Sequence, residues 1–126
     1  MKRLLIGLTL TLTATAASAG WVLIGTINGD KFYADPLTIT RTGNIVGMYR
    51  MDDLARPSVI TGKASYSAGY NTQYDCAGKT MQILQIALFS GQMLTGEVLL
   101  SGTQTSDKVN VVSGTMHEAM LNFACR

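Results

Sequence analysis

Two cysteines occur in this chain, Cys76 and Cys125, and the second is the penultimate residue. Chain ends normally fray, so a cysteine there constrains the fold only if it is tied to something. Whether it can be tied depends on the compartment. The chain opens "MKRLLIGLTLTLTATAASA", with Lys2 and Arg3 ahead of an apolar run and Ala17-Ser18-Ala19 after it. That order is the pattern of a secretory signal peptide over residues 1–19, cleaved after Ala19. The run is too short and too rich in Thr and Ala to read as a membrane span. No cysteine follows the cleavage site to carry a lipid, and no later stretch is apolar enough for membrane insertion after cleavage.

Without its first nineteen residues the 126-residue chain keeps 107, enough for one domain over residues 20–126. Both cysteines remain, and an even count in an exported domain of this size reads as a disulfide between Cys76 and Cys125. Metal binding is the sharper alternative, but two cysteines and the single histidine, His117, fall short of a tetrahedral set. Cleavage also removes the formal excess of two positive charges, since that excess is Lys2 and Arg3. Eight basic residues then face eight acidic ones, and a basic footprint for nucleic acid is absent.

Along the mature chain, short β-branched runs alternate with turn residues. "WVLIGTI" and "KFYAD" flank Asn28-Gly29-Asp30, a strong hairpin signal. Pro36 predicts a corner at "ADP" before a short strand at residues 37–40. A turn at residues 41–44 and a strand at residues 45–51 follow. "DDLARPS", interrupted by Pro57, predicts a loop. From about residue 60 the chain reads as a strand again, with Tyr66, Tyr70 and Tyr74 at even spacing and so on one face. After a turn at Ala77-Gly78, "MQILQIALF" carries apolar residues at both parities, which predicts a central strand covered on both sides. Ser90-Gly91 turns the chain into "EVLLSG", an antiparallel partner.

The period then changes. Met116, Met120 and Phe123 fall at spacings of four and three, behind Thr115 and Glu118 in a capping-box pattern. This predicts a helix over residues 116–124 whose apolar stripe lies on the sheet. Such a short helix does not persist alone in water, and a Cys125–Cys76 bond would pin its loose end. The fold class is therefore α+β: a single antiparallel sheet of about six strands with a C-terminal helix packed on one face and tethered by a disulfide.

Few residues carry chemistry. Gly78-Lys79-Thr80 matches the end of a phosphate loop, but Gln73 stands where its first glycine belongs, so "AGKT" reads as a turn. Asp52 and Asp53 are adjacent, and a strand sends them to opposite faces rather than pairing them for acid–base work. Asp35 and Asp75 read as turn residues bonding local backbone. His117, in the first turn of a capped helix, has no nucleophile to activate and reads as a surface residue. The six methionines of the mature domain show no clustered spacing and read as core filling. No catalytic residue, metal ligand or cofactor is assigned, and the chain does not read as an enzyme.

Taken in order, several words of the sequence resemble the bacterial surface-adhesin protein E-like family. They are Trp21 opening the first strand, "YADPLTI" at residues 33–39 with "GNIV" after it, "YDC" at residues 74–76, "SGQMLTGEV", and Cys125 closing a short helix. The resemblance covers nearly the whole mature domain. It implies the same stapled sheet and helix, and a surface adhesin that engages host extracellular-matrix and serum proteins. Val109 and Ser113 stand where a tryptophan and a proline are common in that family, and no binding residues are carried over from it. The expected function is an exported binding module that engages another protein, a host extracellular protein or an envelope component, through its sheet face or loops. Tyr66 and Tyr70 are the candidate partner contacts, because tyrosine presents amphipathic contact area. The alternative is a periplasmic accessory or structural envelope domain with no host ligand.

Overall fold

The computed structural model describes residues 20–60 and 62–126, so the signal segment expected at residues 1–19 lies outside the described residues. Strands β1 (Val22–Ile27), β2 (Asp30–Thr42), β3 (Ile45–Ile60), β4 (Lys63–Asp75), β5 (Thr80–Phe89) and β6 (Val98–Thr103) form an antiparallel meander in chain order. A two-residue strand, β7 (Val109–Asn110), pairs with the start of β5 beside Thr80 and Met81, and the helix α1 (Met116–Ala124) follows. The sheet is open, with β1 and β6 at its edges.

Local chemistry places most of these elements. Asn28 and Gly29 both have positive φ, 51° and 87°, as a tight hairpin turn matched to strand twist requires. At the β4–β5 turn Asp75 accepts hydrogen bonds from the backbone of Ala77 (3.0 Å) and Gly78 (2.9 Å) through Oδ1, so "AGKT" is a turn. Asp35 likewise accepts from Leu37 N at 3.0 Å. Thr115 caps α1, accepting from Glu118 N at 3.3 Å, and the Glu118 carboxylate reaches back to Gly114 N.

Both expectations drawn from the prolines need correction. The corner at "ADP" lies inside one continuous strand, because a bulge between Asp35 and Thr40 absorbs Pro36. There the Thr38 hydroxyl takes over part of the ladder, donating to Asp35 O (2.7 Å) and accepting from Tyr49 N (2.9 Å). "DDLARPS" is not a free loop but part of β3, with its register shifted between Asp53 and Ser58. Asp30, 25 residues earlier, accepts Ala55 N at 2.8 Å, and Pro57 sits in the unpaired stretch where no ladder donor is required.

The core lies between α1 and one sheet face. Ala34, Val46, Met48, Tyr74 and Met81 face Met120, Leu121 and Ala124, and all are buried. The deepest helix positions are thus Met120, Leu121 and Ala124. Phe123, expected in the stripe, sits on its shoulder under the Arg126 guanidinium, 3.9 Å from the ring centre. Met48, Met51, Met81 and Met120 fill interior space, which their flexible side chains suit. Cys125 is bonded to Cys76, locking the helix end to the turn after β4.

On the opposite face the loop between β5 and β6 folds back over the sheet. Leu94 N donates to Ser67 Oγ (2.9 Å), Ser67 Oγ donates to Gly91 O (2.6 Å), and Met93 N donates to Asp53 Oδ1 (2.8 Å). Met51 and Ser67 are fully buried there. β5 is interior to the sheet but less covered than its apolar sequence suggests: only Met81 and Leu88 are buried, because helix and loop each cover part of its length.

Candidate functional site

Alternation along β3 puts Val46, Met48, Arg50 and Asp52 on the helix side. The first two lie under α1. Arg50 comes next and is 5% exposed, an uncommon place for a guanidinium unless it is paired. Its Nη2 donates to Asp52 Oδ1 at 2.9 Å, and its plane lies 5.4 Å from the ring centre of Tyr70, its partner across the β3–β4 ladder. Nη1 lies 3.1 Å from His117 Nδ1 in the first turn of α1. Arginine has no acceptor atom, so Nδ1 accepts, and the neutral imidazole carries its proton on Nε2. Arg50 Nε and the Tyr74 hydroxyl find no hydrogen-bond partner among the described residues.

The electrostatics follow from burial. Removal from water works against the charge of Arg50, yet the Asp52 carboxylate and the nearby phenols outweigh it and hold the guanidinium above the ordinary arginine range. Burial lowers the pKa of His117, and the Arg50 charge lowers it further against a smaller pull from Asp52. Burial raises both Tyr70 and Tyr74, so both are neutral phenols at physiological pH.

Beyond this cluster the sheet face is not covered by the helix. A cleft of about 330 Å³ opens there, walled by Leu54, Ile60, Ala68, Ile86 and Leu88, with Asp52 and Tyr70 also lining it. A larger depression of about 510 Å³ is lined by Asn28, Asp30 and Arg56 and is mostly polar. The smaller cleft has the features of a recognition site: apolar walls with a few placed polar groups.

The structure separates the three tyrosines that the sequence grouped. Tyr74 is fully buried under the helix, Tyr70 lines the cleft beside Arg50, and Tyr66 is half-buried and lies outside the cleft. Asp52 and Asp53 do face opposite ways, one to Arg50 and the other to Met93 N. His117 is exposed, but it is not an unattached surface residue, since Nδ1 is held by Arg50. Sequence reasoning missed Arg50 and the cleft walls. The available signal was the parity of "IVGMYRMDD", which sets Arg50 in line with Val46 and Met48.

Fold and site together define a small, disulfide-stapled α+β domain whose helix covers one part of a sheet face and leaves a cleft on the rest. Residues 21–126 match the family described as surface-adhesin protein E, and the chain belongs to that family. It is a surface-adhesin-like protein by that membership. Among solved structures it is similar to Haemophilus influenzae protein E in crystal form II. That match has a TM-score of 0.68 at 13% identity and covers 85% of this chain and 87% of that one. A second structure of Haemophilus influenzae protein E gives 0.66 at 13% identity over 85% and 84%. Protein E from non-typeable Haemophilus influenzae gives 0.60 at 13% identity over 88% and 78%. At such identity the likeness is one of fold. No curated protein matches the chain.

Proposed function

We propose that the chain is an exported binding module, led across the inner membrane by residues 1–19 and displayed at the cell surface, that holds a segment of another protein in the cleft beside Arg50. The observation that carries this reading is the cleft itself, an apolar concavity left open next to a buried, paired guanidinium. Tyr70 is the contact residue on its wall, and Tyr66 has a peripheral part. Binding rather than catalysis also suits His117, whose Nδ1 lone pair is engaged by Arg50 and so is not free to take a proton. The balanced charge of the mature domain favours a protein partner over nucleic acid.

The test has two arms. Antibody to the mature domain should label intact cells, and the purified domain should bind at least one member of a panel of immobilised extracellular-matrix proteins. Replacing Ile86 with Glu in the cleft wall should abolish that binding while the domain keeps its melting temperature. Labelling only after permeabilisation, with no binding to the panel, would favour the periplasmic accessory role instead.

A further inference from the structure

We infer that the cleft is built for a neutral aromatic side chain tipped with a hydrogen-bond donor, the indole or phenol of a partner polypeptide. The inference rests on the reading of the cleft as the binding site. Size sets the first limit. At about 330 Å³ the cleft lies near the lower end for small-molecule sites, which run from roughly 300 to 1,000 Å³, so it suits one large side chain with its adjoining backbone rather than an extended ligand. Its walls set the second. Leu54, Ala68, Ile86 and Leu88 offer apolar surface, and Tyr70 adds an aromatic wall against which a second ring stacks or packs edge to face.

Charge sets the third. Asp52 uses Oδ1 for Arg50, while Oδ2 makes no hydrogen bond among the described residues, and neither does the Tyr70 hydroxyl. Both line the cleft, together with the hydroxyl-bearing side chains of Ser58 and Ser65. An anionic ligand would lose the hydration of a full charge on entering an apolar cleft and would find Asp52 Oδ2, an acceptor, at its polar end. A cationic one would meet a carboxylate whose charge Arg50 already balances at 2.9 Å, and would still lose the hydration of a full charge on entering an apolar cleft. A neutral N–H or O–H avoids both costs and supplies the one thing the open acceptors lack. Indole, a donor only, and phenol meet the requirement; phenylalanine fills the volume but leaves Asp52 Oδ2 facing an apolar ring.

The experiment titrates the full mature domain, disulfide intact, with N-acetyl-tryptophanamide and N-acetyl-phenylalaninamide, and follows the methyl resonances of Leu54, Ile86 and Leu88 by NMR. Tryptamine and indole-3-acetate serve as charged comparisons. The expected result is saturable shifts confined to the cleft, with the tryptophan amide about tenfold or more tighter than the phenylalanine amide, as one net hydrogen bond to a charged acceptor gives, and with both charged indoles weaker. Tyr70→Phe should weaken the tryptophan amide without unfolding the domain, and Leu54→Glu gives a second cleft variant should Ile86→Glu fail to fold. Equal affinity for the two amides, or tighter binding of either charged indole, would overturn the ligand class. If neither amide binds while Ile86→Glu still abolishes capture of a matrix protein, the ligand class falls and the cleft remains the docking site. If the tryptophan amide binds as expected while capture is indifferent to Ile86→Glu, the inferred chemistry stands and the docking role proposed for the cleft falls.

Discussion

Replacing Asp52 with Leu should be among the most damaging single changes at a polar position, although the aspartate is only one of eight acidic residues. The Arg50 side chain is 6% exposed and that of Asp52 16%, with 2.9 Å between Nη2 and Oδ1. Deleting the carboxylate leaves a guanidinium that cannot shed its proton, with Nε already lacking a partner. The neutral imidazole nitrogen of His117 and the Tyr70 ring then remain in contact with it, with the neutral Tyr74 phenol nearby. Breaking a buried pair in this way costs about 3–5 kcal/mol, and those two remaining contacts put the expected loss near the lower end, about 3 kcal/mol. For a domain of this size that is a melting temperature lower by roughly 12 °C or more. Arg50→Met should cost less, because the Asp52 carboxylate borders the cleft and turns toward water. The double variant Arg50→Met, Asp52→Leu should lie within about 1 kcal/mol of the parent, since apolar residues of similar volume carry no desolvated charge. Urea unfolding of the oxidised protein measures all three, with an unchanged m-value as the check that the same transition is followed. A cost below about 1 kcal/mol for Asp52→Leu, or a double variant as poor as the sum of the singles, would show that the pair behaves as a solvated surface contact.

Two further perturbations address the same end of the sheet. Cys125→Ser should lower stability by about 4 kcal/mol, from the chain entropy of a loop closed across a separation of 49 residues. The amides of α1 should lose hydrogen-exchange protection first, and an unchanged urea midpoint would refute the staple. His117 has a folded pKa below its unfolded value of about 6.5, so the unfolded chain binds the extra proton. Its contribution is complete above about pH 6.5 and is lost as pH falls through the lowered folded pKa. The drop in urea midpoint between pH 7.5 and pH 5.5 should therefore be larger in the parent than in His117→Gln; equal drops would mean that neither burial nor the Arg50 charge lowers the pKa of His117 in the folded domain.

What could be read locally was read well. Asn28-Gly29, Asp75 before the β4–β5 turn, Thr115 before α1 and the spacing of Met116 from Met120 each act through neighbours within a few residues, and the structure places all four accordingly. The two misread proline stretches share one cause. "ADP" and "DDLARPS" contain prolines that argue against strand, and both are strand because distant groups supply what the ladder lacks. Thr38 bonds Tyr49 across 11 residues, and Asp30 bonds Ala55 across 25. The site illustrates the same limit more sharply. Parity along β3 puts Arg50 on the helix side, but its meeting with His117 spans 67 positions and depends on where the helix lands. The walls of the cleft come from β3, β4 and β5 at once, and no local pattern marks them.

The position of the cleft follows from a mismatch of lengths. A nine-residue helix is about 14 Å long, while a strand of 16 residues such as β3 extends roughly 50 Å. Such a helix covers only part of the face, and the disulfide decides which part, because Cys76 lies at the turn after β4 and holds the C-terminal end of α1 there. Tyr74, next to that turn, is under the helix. Tyr70, four residues back along β4 and about 13 Å away, is beyond it. Arg50 stands at the boundary, where the first turn of α1 still supplies His117 and the open sheet begins to supply Asp52. The short helix and its terminal staple are therefore one arrangement: a helix of this length needs the disulfide to stay docked, and, lying over β1, β2 and β3, it leaves the part of the face around Tyr70 and Ile86 open to another molecule.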